Sequence, residues 1–209
     1  MIYIYGAQHS NFVRSVQIAC ALKGLDCEVA YHLGGEEIPF RSDKHLAIHP
    51  FAKLPVIQDG TVRVAESQAI LRYLDAAYPE PALQPETILE RAEHDSWCSH
   101  IASNIDQALI RKFMVEFVFP TGENGEPNYP KMLENKPSAE NAISVIETRL
   151  SQADFICGNK PTLADCLLAP LADYSARLTE SLSLVDDNSA INTYLERMMS
   201  LEGITEILR

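Results

Sequence analysis

The chain has no uninterrupted apolar run long enough to cross a bilayer as a helix, which takes about 20 residues, so no membrane partner is expected. It also lacks a basic excess: the formal net charge is −12 over 209 residues. Wholesale binding to nucleic acid or to an anionic membrane needs a basic face, so both are excluded, although a local basic pocket is not. Paired cysteines are missing too. The five present, Cys20, Cys27, Cys98, Cys157 and Cys166, are odd in number and include no C-x-x-C. That argues against a disulfide framework or a zinc site and leaves reduced thiols, with no metal, as the expectation. Cys20, Cys98 and Cys166 fall within apolar helical patterns and read as buried filler. The N-terminal Met1-Ile2-Tyr3-Ile4-Tyr5-Gly6 has neither a basic lead nor a long apolar core. It reads as a buried strand rather than a signal peptide, and a cytoplasmic location is expected.

What is present is an ordinary globular composition, 46% hydrophobic and 22% charged, with enough chain to bury a sizeable core. The first part alternates. Ile2–Tyr5 predicts a strand, Asn11–Lys23 an apolar-periodic helix closed by Gly24, Cys27–Tyr31 a second strand, and Ser42–Ile48 a short helix. Two strands and a helix from Glu66 follow, which together specify an α/β domain with a mixed four-stranded sheet. Tyr78–Pro85 holds three prolines in eight residues and reads as a linker. Beyond it helical periodicity takes over, near 86–117, 129–151, 163–178, 187–199 and 201–208, with a loop over Phe119–Pro130. The expected domains are 1–78 and an all-α domain at 86–209, joined by 79–85. Thr162-Leu163-Ala164-Asp165 is a capping-box variant at a helix start.

The most informative stretch is Lys53-Leu54-Pro55-Val56-Ile57 followed by Glu66-Ser67-Gln68-Ala69-Ile70. A proline belongs at a strand start or an edge because it cannot donate to a ladder. Asp59-Gly60 reads as a hairpin turn with Thr61–Val64 returning. A proline-marked edge then lies beside a helix start that carries a carboxylate and a hydroxyl, a geometry suited to a short peptide-like ligand with a charged end. Ser10, just before the first helix, is an N-cap by position. A hydroxyl and free amides at a helix start also favour an anion such as a thiolate. His45 and His49, and His94 and Cys98, have i, i+4 spacing but make weak metal signals.

Ser10-Asn11-Phe12-Val13-Arg14, Lys53-Leu54-Pro55-Val56, Glu66-Ser67-Gln68-Ala69-Ile70 and Thr162-Leu163-Ala164-Asp165, in that order, resemble a cytosolic glutathione transferase of the serine type. The resemblance runs over the whole chain. It implies a thioredoxin-like first domain, an all-helical second domain, a homodimer, glutathione as co-substrate and a cis bond at Pro55. It implies that Leu54 pairs with the ligand's cysteinyl backbone, that Ser67 and Glu66 hold the γ-glutamyl carboxylate and amino group, and that Lys53 and Arg41 meet the glycyl carboxylate. Ser10 is then the residue that contacts the sulfur, with Tyr5 and Asn11 as alternatives. Tyr5 is an alternative because tyrosine-type members use a phenol after the first strand, and strand alternation can bury it.

The expected electrophile pocket lies between the domains, with Phe113, Phe117 and Tyr174 as candidates, while Trp97 reads as core. Two departures from the family pattern stand before Lys53: His49 where asparagine is more common and Ala52 where glycine is. The implied activity is conjugation of glutathione to a small hydrophobic electrophile, with hydroperoxide reduction as a side activity. A glutathione-dependent isomerase and a non-catalytic protein-interaction module are the competing readings. Retention of Ser10 and of the Glu66-Ser67 pair favours the enzyme.

Overall fold

A computed structural model describes residues 1–208; Arg209, where the expected helical domain ends, lies outside the described residues. The chain divides into two compact units. One comprises Met1–Glu86 with the segment from Met198 onward, and the other Thr87–Arg197.

In the first unit, β1 (Ile2–Tyr5) leads to α1 (Asn11–Leu22) and β2 (Cys27–Ala30). A small hairpin of β3 (His32–Leu33) and β4 (Glu36–Glu37) follows, then α2 (Asp43–Ile48), β5 (Val56–Asp59), β6 (Val62–Ala65) and α3 (Ser67–Ala77). The main sheet has the order β2-β1-β5-β6. β1 runs parallel to β2 and antiparallel to β5, and β5 and β6 form a hairpin, so the sheet is mixed and four-stranded as expected. Asp59 pairs with Val62, so the turn is Gly60-Thr61, one residue later than the sequence suggests. Gly60 takes φ +57 there. The β3–β4 hairpin was not anticipated, because two-residue strands carry no alternation to read. Tyr5, Leu33, Ile38 and Val56 form a buried cluster at one end of the sheet.

α1 ends as its sequence predicts. Gly24 adopts φ +62, and the amides of Gly24 and Leu25 bond back to the carbonyls of Ala21 (3.0 Å) and Cys20 (2.9 Å). This is the Schellman pattern that a residue without Cβ permits. The C-terminal helix α8 (Thr205–Leu208) packs on α1, where Arg14 Nε donates to the Ile207 carbonyl at 2.8 Å.

The second unit is helical: α4 (Ile88–His100), α5 (Tyr129–Leu150), α6 (Leu163–Ala176) and α7 (Ala190–Met199). The long helix expected over 86–117 changes character along its length. After α4 come π-helical turns at Ile101–Ile105 and Gln107–Arg111, then a 3-10 turn at Met114–Phe117. α6 is buried on nearly every side, as a central helix must be, and it continues unbroken through Pro170. Its capping box is formed. The Thr162 amide and hydroxyl donate to Asp165 Oδ2 (2.8 and 2.9 Å), and the Ile156 amide donates to Oδ1 (2.9 Å). Burial outweighs these three donors and pushes the Asp165 carboxyl up to about 6.

Candidate functional site

Sheet register brings the informative residues together. Tyr5 of β1 pairs with Val56 of β5, which pairs with Ala65 of β6. Each of these is the terminal residue of its strand at the same end of the sheet. The segments that continue from them, Gly6–Ser10, Leu54-Pro55 and Glu66-Ser67, therefore gather at that end. Gly6 confirms the crowding: a Cβ there would lie 2.4 Å from Val13 Cγ2 and 3.7 Å from Leu54 Cβ. Only a residue without a side chain lets the β1–α1 loop pass so close to α1 and Leu54.

The Leu54–Pro55 peptide is cis, as the resemblance implies. The ladder begins at Val56, so the Leu54 backbone lies just beyond the last paired residue. Ser10 is half-buried at the N-cap of α1, with φ −76 and ψ 126. It caps by position but not by bond, since its side chain makes no capping hydrogen bond to the helix. Asn11 is buried in the first turn. Tyr5 is fully buried and its hydroxyl donates to the Ile38 carbonyl at 3.0 Å. Burial, with Tyr31 nearby, pushes its phenol up to about 12. The phenol is thus turned into the core and engaged there.

Ser67 is the first residue of α3 and is buried, while Glu66 before it is exposed. Glu66 has φ +70, Ala52 +46 and Arg41 +62. Left-handed backbone at residues bearing a Cβ is costly, and it clusters where the surrounding structure holds it for a purpose. Of the five such residues among the described ones, Glu66 lies in a gathered segment and Ala52 lies two residues before Leu54. Arg41 and Lys53 are both exposed, and no carboxylate among the described residues lies within ion-pair distance of either.

Two residues that sequence reasoning set aside connect these parts. His45 is fully buried. Its Nδ1 lies 3.1 Å from the Arg41 amide and its Nε2 lies 3.0 Å from the Lys53 carbonyl. His49, also buried, accepts from the Phe51 amide at Nδ1 (3.2 Å), and its Nε2 lies 3.5 Å from Glu66 Oε1. The i, i+4 spacing of His45 on α2 and His49 just after it was the available signal. It pointed to a shared face but not to what that face would touch.

The pocket candidates belong to the helical unit. Phe113 is wholly buried and offers no surface to a ligand, Phe117 is exposed, and Tyr174 is partly buried.

A mixed four-stranded sheet with a cis-proline at the start of its third strand, joined to a helical unit, defines a thioredoxin-like fold with an all-α extension. Known proteins place it more closely. The sequence profile of the glutathione S-transferase N-terminal domain matches residues 4–82, and that of the glutathione S-transferase C-terminal domain matches residues 107–202. The chain belongs to the glutathione S-transferase family. It is 26% identical to glutathione S-transferase F10 of Arabidopsis thaliana, over 99% of this chain and 96% of that one. It is 28% identical to glutathione S-transferase 4 of Zea mays, over 84% and 80%. Among solved structures, maize glutathione S-transferase I with an atrazine glutathione conjugate superposes with a TM-score of 0.81 at 23% identity, covering 99% and 96% of the two chains. The theta-class enzyme of Xanthomonas axonopodis pv. citri with glutathione bound gives 0.80 at 22%, over 99% and 96%. At these identities the structural likeness speaks for the fold.

Proposed function

We propose that this chain, a glutathione transferase, binds glutathione at the sheet end described above and holds its sulfur as a thiolate beside Ser10. The thiolate then adds to a small hydrophobic electrophile. The observation that carries this reading is the convergence of Ser10, Leu54–cis-Pro55 and Glu66-Ser67 at one end of the sheet. Leu54 offers its backbone to the cysteinyl unit as an added strand would. Ser67, at the start of α3, takes the γ-glutamyl carboxylate through its hydroxyl and amide, and Glu66 takes the amino group. Lys53 and Arg41 meet the glycyl carboxylate. The Ser10 hydroxyl donates to the sulfur, and rate comes from thiolate formation and from positioning both reactants.

Tyr5 is disfavoured for the sulfur contact because its hydroxyl is engaged with Ile38 in the core. Phe117 and Tyr174 remain the candidates for contact with the electrophile. Hydroperoxide reduction is a side reaction of the same thiolate, in which two glutathiones and a hydroperoxide yield glutathione disulfide, an alcohol and water. The working form is a cytoplasmic homodimer. In keeping with that location, no described helix is long and apolar enough to cross a membrane.

Ser10→Ala is the direct test. A charge-assisted hydrogen bond at a helix start lowers a thiol pKa by about one to two units. The variant should therefore lose about 10- to 100-fold in turnover at neutral pH while still binding a glutathione resin. The pKa of the bound thiol, followed by ultraviolet thiolate absorbance, should rise in step. Unchanged turnover and thiol pKa would remove Ser10 from the role. Failure of the wild-type protein to bind glutathione at millimolar concentration would favour a non-catalytic module instead.

A further inference from the structure

We propose that His45 is a positioning residue for the glycyl end of glutathione, setting the spacing of Arg41 and Lys53 through the backbone of both. The inference rests on the assignment of those two cations to the glycyl carboxylate.

The imidazole is completely buried. It meets Tyr5 edge-on at 4.7 Å and lies tilted against Phe40 at 5.5 Å between centroids. Both of its nitrogens are nevertheless used, and on two particular residues. The Arg41 amide can only donate, so Nδ1 must accept. The ring proton therefore sits on Nε2, which donates to the Lys53 carbonyl. One neutral tautomer satisfies both bonds, and neither the imidazolium nor the other tautomer does.

The two bonded residues are the ones that need holding. Arg41 takes φ +62, a region that residues with a Cβ disfavour, and Lys53 follows Ala52 at φ +46. Arg41 and Lys53 lie 12 positions apart in sequence, on the two flanks of α2. The ring is the direct bridge between them. Arg41 also stacks its guanidinium over Phe40, 5.1 Å from the ring centroid, which ties its side chain to the same cluster.

Protonation of the ring would place an N–H against the Arg41 N–H and break the bridge. The ionisable groups that face it all belong to this cluster. They are the Tyr5 phenol on β1, pushed up to about 12, with Tyr31 beside it, and His49 just past the end of α2. Burial, with His49 nearby, holds the His45 imidazole below its ordinary value, so the bridge is intact at neutral pH.

The test compares glutathione with γ-glutamylcysteine, which lacks the glycyl carboxylate, in the full-length enzyme. Wild type should show a KM for glutathione about tenfold below that for γ-glutamylcysteine. His45→Phe keeps a ring against Tyr5 and Phe40 and removes both hydrogen bonds. It should bring the two KM values within about twofold of each other by raising the glutathione value alone, with kcat unchanged. An unchanged ratio, or a parallel rise of both KM values, overturns the inference.

The wild-type pH profile gives an answer even if the variant folds poorly. Because burial holds the imidazole below its ordinary value, the glutathione preference should persist as the pH falls from neutral through the range where a free histidine protonates. The ligand's carboxylates stay ionised over that range. A preference already lost where a free histidine protonates, at about pH 6.5, overturns the bridge. A wild-type enzyme that binds neither ligand overturns the transferase reading and this inference together. Binding of both ligands with a ratio that His45→Phe leaves unmoved overturns this inference alone.

Discussion

At the scale of single residues, the informative side chains are those whose polar atoms are used up inside the protein. Tyr5 and Ser10 flank the same loop, yet one hydroxyl is bonded in the core and the other makes no bond to its helix. Glu116 is a second instance, far in sequence from the residues proposed to bind glutathione. Its buried carboxylate accepts from the Thr121 amide (2.8 Å) and hydroxyl (2.9 Å) and from the Asn128 amide (3.3 Å), and it pairs with Lys131 Nζ at 2.6 Å. One residue thus gathers both ends of the Pro/Gly-rich loop that the sequence marked at 119–130. Lys131, with the Thr121 and Asn128 donors, holds the carboxyl well below its ordinary 4.5, at about 2. A depressed folded-state value means that the stabilisation is complete above about pH 4.5 and is lost as the pH falls towards 2. Urea midpoints measured across that window should therefore drop with acidification. Glu116→Gln should flatten the slope and speed amide exchange at Thr121 and Asn128. A slope that the variant leaves unaltered would assign the acid sensitivity elsewhere.

At the scale of elements, the proline-rich segment after α3 is a linker by composition but not a loose one. Lys23, at the end of α1, donates from Nζ to the carbonyls of Tyr78 (2.7 Å) and Pro81 (2.8 Å) and pairs with Asp75 at 2.7 Å. Asp75 in turn accepts from the Leu83 amide and from Gln84. The ammonium is fully buried, and against the opposing effect of its own burial the Asp75 carboxyl is held below its ordinary value by Lys23, Gln84 and the Leu83 amide. Removing one member of such a pair leaves the other charge buried and uncompensated, at a cost of about 3 kcal/mol. Lys23→Met should lower the denaturant midpoint accordingly and open Tyr78–Pro85 to proteolysis. Proteolytic resistance equal to wild type would mean that Leu83 burial alone holds the segment.

The elements also mark where sequence reading succeeds. α1, α2, α5 and α6 begin and end within two residues of expectation, because caps and stops are local: Gly24 at one end, Ser42 and Thr162 at others. The π-helical turns at 101–111 were not legible. Apolar spacing there suits an α-helix equally well, and the choice lies in how the chain packs.

At the scale of the whole molecule, the proposed homodimer has a physical signature. The chain exposes large apolar side chains, among them Phe51 at 73% of its surface, with Ile88 and Leu89. It also carries a net charge of −12. Two such chains repel through their charge, so association must come from apolar burial, and screening should help it. Sedimentation equilibrium should return about twice the 23.3 kDa chain mass and should hold that value as salt is raised. Phe51→Ser should shift the balance towards monomer. A stable wild-type monomer would remove the dimer.

By itself the sequence determined the order of the four main strands and the capped helices, the strand-start proline and the stretch that holds Leu54, Glu66 and Ser67. All of these depend on residues near one another in the chain, where turn chemistry, periodicity and capping act. Tertiary structure decided the rest. It set the strand register that gathers the segments carrying Ser10, Leu54 and Glu66 at one end of the sheet, the burial that turns the Tyr5 phenol into the core, and the return of the last helix to Arg14 from 193 residues away. It also gave His45 and His49 their partners. An imidazole's role is set by what faces its two nitrogens, and here those partners are backbone groups and a carboxylate that no spacing rule locates.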